Sequence, residues 1–478
     1  MGEESKGQSS GNLQESRVEK KKFRLPHIYV LLVSIIFLCA IASWILPAGE
    51  FDRTQNAAGR TVVVAGTWHP VAPSPVGPFG AVRAIYGGLV DAAGVVFFVF
   101  VAYASISLLL SSGAFNGLVA GLLKVFRGKS RAVVIPIFMI IMGVGASTVG
   151  IFEEALPFIP IFAGIAIAMG YDAIVGVAII GLGVGLGYSG AVMNPFTVGI
   201  AQSVAELPPM SGWGYRLICH LSMVVVGALY TMHYAMKIQA DPTKSLVYGE
   251  DFSKLAMDEK TLSEQPFGLR EKLVLLAFGA MIVLVVYGTQ AYGWYFEEIC
   301  AVFLIMGAVT AIIMGWGPNQ VAEKMVGSLC DVTMACMMIG LARGILVVLR
   351  QGHIIDTVVY GLSIPLAGLP NWLAGEAMLL TQTLLNFLIP SGSGQAATSM
   401  PIMTPLADVL GVSRQVAVLA FQFGDGISNI LWPTAFAPVV AALGGVKLGT
   451  WWKWFVPLFG WILLTQMVLV AVAISIGW

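Results

Sequence analysis

The chain has 478 residues, 57% of them hydrophobic and 11% charged, and its mean hydropathy is +0.84. An average soluble domain carries roughly 25% charged residues, so a water-facing surface of this size is excluded, whereas a lipid-covered one needs few charges. With 26 basic and 26 acidic residues the net charge is zero, and no nucleic-acid partner is implied.

The first 25 residues are polar, basic and rich in Ser, Gly and Glu, the composition of a disordered tail. The apolar run from Ile28 to Leu46 lacks a small-x-small cleavage site and reads as an uncleaved first helix within 26–48. About 20 apolar residues cross a bilayer. On that measure further helices are expected near 84–112, 132–149, 153–169, 173–203, 214–236, 272–291, 296–315, 322–350, 372–390, 395–411, 413–443 and 452–476. The long segments 173–203 and 413–443 carry internal breaks, and 153–169 and 395–411 suit re-entrant hairpin arms, which leaves about 11 to 13 membrane segments. Arg17, Lys20, Lys21, Lys22 and Arg24, then Lys124, Arg127, Lys129 and Arg131, place the N-terminus and the second loop in the cytoplasm. The polar stretch 238–271 carries Lys244, Lys254, Lys260 and Arg270 with as many acids; it is the natural cytoplasmic linker between two halves. Cys39, Cys219, Cys300, Cys330 and Cys336 lie in apolar stretches without ligand spacing and read as small buried residues.

The chain also repeats itself. "GGLVDAAGVV" around Asp91 parallels "GSLCDVTMAC" around Asp331, Gly113 parallels Gly352, and Pro157 in "ALPFIPIF" parallels Pro401 in "SMPIMTPLA", each about 240 residues on. A near-constant offset argues for duplication, with copies at 83–237 and 322–478 joined by the linker and by connecting helices in 272–316. Loop charges differ in sign between the copies: the loop after the first pair is basic, while its counterpart 351–371 has Asp356 and no Lys or Arg. The copies therefore face opposite ways. The expected fold is an all-α polytopic membrane protein with two inverted repeats, re-entrant hairpins and broken helices, the pattern of secondary transporters with a midplane site.

Four breaks occupy repeat-related places: "GVGAST" (143–148) and "GYSGAVMNP" (187–195) in copy one, "PSGSGQ" (390–395) and "GDGISNILWP" (424–433) in copy two. Unwound backbone in a membrane must direct its free N–H and C=O groups at protein, water or ligand. Isolated breaks are as readily kinks and small-residue packing contacts, but four in repeat-related places point to a site. Buried acids come next, because each is costly unless paired or wetted. Glu153 and Glu154 are adjacent, so on a helix they point about 100° apart and one suffices for a site. Charge at a helix start is the alternative. Asp425 lies inside a break and can be a ligand or a proton carrier. Arg343, opposite Ala104 of the other copy, can pair with a carboxylate of the protein or of a substrate. Asp91 and Asp331 read equally as helix-end residues, and Glu376 as interfacial.

Lookalike motifs fail. "GKS" at Gly128–Ser130 has Leu123 where a phosphate loop needs its first glycine, "GLGVGLG" lacks GxGxxG spacing, and "GSG" at Ser393 is not GxSxG. None of the five histidines has a ligand partner at helical spacing. The sequence gives no support for an enzyme, a cofactor or a metal centre.

At "YSGAVMNPFTVGIAQ" (188–202), "SGSGQAATSMPIMTPLAD" (391–408), "RQVAVLAFQFGDGISNILWPT" (414–434) and "EEA" (153–155), the chain resembles the YfcC-type carriers of the C4-dicarboxylate carrier and arginine/ornithine antiporter group. The resemblance, from about residue 26 to the end, implies a bacterial inner-membrane secondary transporter with scaffold and transport core, moving like an elevator and often a homodimer. It implies substrate and ion sites at Ser147 and Thr148, Ser189 and Asn194, Ser391 and Ser393, and Ser428 and Asn429. We expect substrate at Glu153, Glu154, Asn194, Arg343, Ser393, Asp425 and Asn429, and an ion at Ser147, Thr148, Ser189, Ser391 and Ser428. Acids around the breaks suit a basic amino acid better than a dicarboxylate. Asp425 and the Glu pair permit H+ coupling, the Ser and Asn breaks permit Na+, and exchange needs neither. A channel is the alternative of another class.

Overall fold

The computed structural model describes residues 26–55, 61–115, 117, 132–253, 255 and 267–478. The expected tail 1–25, the basic loop residues Lys124, Arg127, Lys129 and Arg131, and most of the linker's 254–266 portion lie outside the described residues.

Helix α1 (Ile28–Ile45) leads into two short antiparallel ladders, β1 (Gly49–Glu50) with β4 (His69–Pro70) and β2 (Arg53–Gln55) with β3 (Thr61–Val63). The first half follows as α2 (Pro78–Asp91), α3 (Ala93–Ser111), α4 (Val134–Thr148), a 3-10 turn (Glu153–Phe158) continuing into α5 (Ile159–Ala168), α6 (Ala173–Ser189), α7 (Val198–Val204) and α8 (Trp213–Ala240). After α9 (Leu269–Tyr292) and α10 (Phe296–Met314), the second half runs α11 (Pro318–Gln351), α12 (Ile355–Ser363), α13 (Asn371–Leu388), α14 (Gly392–Val409), α15 (Arg414–Ser428), α16 (Ala437–Leu443) and α17 (Leu448–Ser475). Element order repeats: a helical pair or one long helix, a hairpin, a broken helix, a closing helix. Packing repeats with it, α4 on α6 as α13 on α15, while α6 meets α15 and α8 meets α17 across the halves.

Two ends of the molecule can be told apart by what they touch. At one, the ladder residue Gly49 donates its N–H to His353 O, Arg53 pairs with Asp356 at 2.8 Å, and β3 rests on α14. At the other, linker residue Ser245 donates to Asp172 before α6, and Lys447 before α17 pairs with Glu250 at 2.7 Å. The α4–α5 hairpin has its base at the linker end, beside Asp172. The α13–α14 hairpin has its base at the ladder end, where Arg414 holds Asp408 and Glu206. The two copies are inverted, as the loop charges require.

Among the described residues seven helices are long and apolar enough to cross a membrane alone. The remainder of the expected crossings are hairpin arms and broken helices, individually too short or too polar. The expected single helix 84–112 is two, α2 and α3, parted at Ala92 (φ −91°, ψ 1°). The segment expected as a helix at 153–169 begins as a 3-10 turn, because Pro157 has no N–H to give Glu153 O, as an α-helix starting there would require. The ladders at 49–70 and helix α12 were not anticipated from sequence. Cys330 is exposed and Cys300 only half-buried, contrary to the reading of all five as buried; apolar helix faces here look outward to lipid.

Candidate functional site

Chain geometry creates the site. The helices α6 and α15 end at Ser189 and Ser428, five or six residues before Pro195 and Pro433, and Asn194 and Trp432, the residues before those prolines, are disfavoured in the helical region. The freed backbone is satisfied internally. Ser147 O accepts from Val192 N and Met193 N, Asn429 O accepts from Phe436 N, and Trp432 Nε1 donates to Thr383 O. The breaks can meet because α6 and α15 cross in backbone contact, where a Cβ on Gly426 would run into Ser189 Cα.

Both hairpin tips and both breaks open on one cavity of about 280 Å³, near the small end of ligand pockets. It is lined by Gly150, Phe152, Glu153 and Glu154 of the first tip, and by Pro390, Ser391, Gly392 and Ser393 of the second. Tyr188, Phe196, Asn429 and Phe436 come from the breaks, and Asp91, Tyr295 and Arg343 from the surrounding helices. Phe152 stacks edge-on with Tyr188 (5.2 Å) and leans on Phe436 (4.9 Å), which gives the acidic wall an aromatic border.

The walls differ in charge. Glu154 Oε2 accepts the Phe152 N–H at 3.0 Å, so it braces the tip, and Glu153 stands beside it in the same 3-10 turn. On the second tip, Ser391 caps α14 by accepting the Gly394 N–H, and the first turn of α14 lies at the cavity. Arg343 Nε is 3.8 Å from Asp91 Oδ2, and Arg350 reaches the other oxygen of Asp91 at 3.1 Å. One carboxylate thus shares two guanidiniums.

The expected site residues fall into two groups. Glu153, Glu154, Arg343, Ser391, Ser393 and Asn429 line the cavity together. The others stand behind its wall. Ser147 Oγ accepts from Val192 N, Thr148 Oγ1 donates to Val144 O, and Ser189 Oγ accepts from Gln466 and donates to Phe423 O. Ser428 Oγ donates to Gly424 O, and Asn194 clasps the first break through Ala146 O and Phe196 N. Asp425 is fully buried behind the second hairpin tip. Sequence reasoning missed the aromatic border and Tyr295; Tyr188 was visible in "GYSG", but Tyr295 belongs to a connecting segment outside both repeats and carries no motif.

The sequence model of the DcuC family, described as C4-dicarboxylate anaerobic carrier, matches residues 25–475. The chain belongs to this family. It is 30% identical to an Escherichia coli (strain K12) protein named "Putative basic amino acid antiporter YfcC", over 96% of this chain and 98% of that protein. A Haemophilus influenzae (strain ATCC 51907 / DSM 11121 / KW20 / Rd) protein, named only "Uncharacterized protein", is 28% identical over 96% of this chain and 98% of its own length. Among solved structures, the YdaH transporter of Alcanivorax borkumensis aligns with TM-score 0.45 at 15% identity, covering 95% of this chain and 99% of that one. MtrF of Neisseria gonorrhoeae aligns with TM-score 0.44 at 19% identity, covering 94% and 96%. This member of the carrier family is a multi-pass membrane transporter and not an enzyme.

Proposed function

We propose that the chain is a secondary active transporter that carries a basic amino acid by exchange or cation-coupled alternating access. The observation that carries this reading is the two-signed lining of one cavity, in which Glu153 and Glu154 meet Arg343 and the capped start of α14. A cationic side chain or α-ammonium suits the first pair and a carboxylate the second. The name given to the 30% identical relative agrees.

The second reading, a C4-dicarboxylate, is favoured by the family's description and by Arg343. It has to place two carboxylates in a cavity that already holds two acids beyond the Arg-paired Asp91. In either case the linker end lies in the cytoplasm and the ladder end outside, in a bacterial inner membrane, as the basic N-terminal residues suggest. A homodimer, which the sequence resemblance implies, completes the proposal and is checked by cross-linking in membranes.

Uptake of labelled arginine and labelled succinate by proteoliposomes discriminates the two. Arginine uptake, or arginine exchange against internal arginine, is the expected result. Succinate uptake that excess arginine leaves unaffected overturns the amino-acid reading, and conductance without saturable flux would indicate a channel.

A further inference from the structure

Among the described residues, Asp425 is the only carboxylate whose two oxygens are both buried and both without a hydrogen-bond partner. Its exposure is 0%. Ionised and bare, such a group costs several kcal/mol or so in a low-dielectric interior, so it persists only where something neutralises it during the cycle. The fold does not ask for it. Asp425 and Leu186 hold the same place, three residues before the serines that end α15 and α6, and Leu186 is just as buried.

What packs on Asp425 is the second hairpin tip together with a set of polar side chains. The second hairpin tip seats directly on it: the Cβ position of Gly392 lies 2.9 Å from Asp425 Oδ2, 2.8 Å from Tyr188 Oη and 2.6 Å from Thr197 Cγ2. Thr197 Oγ1 has no partner. Asn386 spends its amide N–H groups on Asp425 O (2.7 Å) and Ser428 Oγ (2.6 Å), leaving its Oδ1 unpartnered. From the first half, Glu153 and Tyr188 are within electrostatic reach, and the N-terminus of α14 faces it from the hairpin. Oxygen donors around one carboxylate are the chemistry of a hard cation.

We propose that Asp425 is the coupling site, taking up one monovalent cation, H+ or Na+, beneath the second hairpin tip and releasing it when the tip lifts. The charge balance is simple: the carboxylate crosses only in neutral form, as the acid or as the sodium carboxylate, and the cation leaves on the other side. This rests on the transporter reading but not on which solute is carried.

The first test needs no solute. Thermal unfolding of the purified full chain is followed in detergent against pH, and against NaCl with KCl as control. Wild type gains Tm on acidification if the cation is H+, or with NaCl if it is Na+; Asp425→Asn, and Asp425→Leu in imitation of Leu186, lose that response. In proteoliposomes the same cation gradient drives accumulation by wild type, and Asp425→Asn loses gradient-driven accumulation by a larger factor than it loses exchange. A wild type whose Tm and accumulation respond to neither cation overturns the proposal, as does an Asp425→Asn variant that keeps both responses. If neither arginine nor succinate is transported, the solute assignment fails while the Tm arm still decides the cation site.

Discussion

The two hairpin tips are built to one plan and carry opposite chemistry. The first enters its second arm through a proline-forced 3-10 turn that presents Glu153 and Glu154. The second enters as a regular α-helix capped by Ser391, which presents backbone N–H groups and the positive end of a dipole. The broken helices that meet them divide similarly: α6 carries Leu186 where α15 carries Asp425. Both halves contribute a hairpin tip and a break to the cavity. On the proposed function, the few residues that differ between the copies give the cavity both an acidic and a cationic lining, which suits a solute bearing both charges.

The largest expected effect breaks the acidic wall. Glu153→Gln removes one partner of a desolvated charge contact, worth about 3–5 kcal/mol, so basic amino-acid uptake should fall by more than about 100-fold in proteoliposomes. Glu154→Gln keeps an acceptor for the Phe152 N–H and should lose less. Equal losses would show that the two acids act as a unit, and unchanged uptake in both would falsify the cationic-solute reading.

Next comes the contact that lets the halves meet. Gly426→Ala drives a methyl into Ser189 and should cost about 1–3 kcal/mol, read as a fall in Tm. Gly279→Ala on α9, where a Cβ meets nothing within 4 Å, should not lower Tm, and a matching loss there would remove the close-crossing argument.

The smallest effect sharpens the anion-attracting tip. Ser391→Ala removes the cap of α14 for about 1 kcal/mol, which predicts a roughly fivefold weaker apparent affinity for the solute carboxylate with little change in maximal rate. A change confined to the maximal rate would instead assign Ser391 to hairpin movement.

Much of this is legible in the sequence. Gly, Pro and Asn at 187–195 and 424–433 marked the breaks, because proline and glycine act locally on φ and on the N–H inventory. Six of the expected residues do line the cavity. Those outside the cavity lining are mostly short polar side chains, Ser147, Thr148, Ser189 and Ser428, whose hydroxyls are engaged with backbone groups. A serine looks the same in sequence whether it ligates an ion or caps a carbonyl. Tyr295 and Asp91 were overlooked as cavity residues because their proximity is made by packing of α10 and α2 around the core, which leaves no periodic trace.

Sequence by itself determined the class, the inversion and the positions of the breaks, since apolar run length, loop charge and proline chemistry are properties of neighbours along the chain. Only tertiary structure decided that the two hairpin tips and the two broken helices share one cavity, that Asp91 is divided between Arg343 and Arg350, and that Asp425 lies bare beneath a hairpin tip. Those depend on where two halves, about 240 residues apart, bring their backbones into contact.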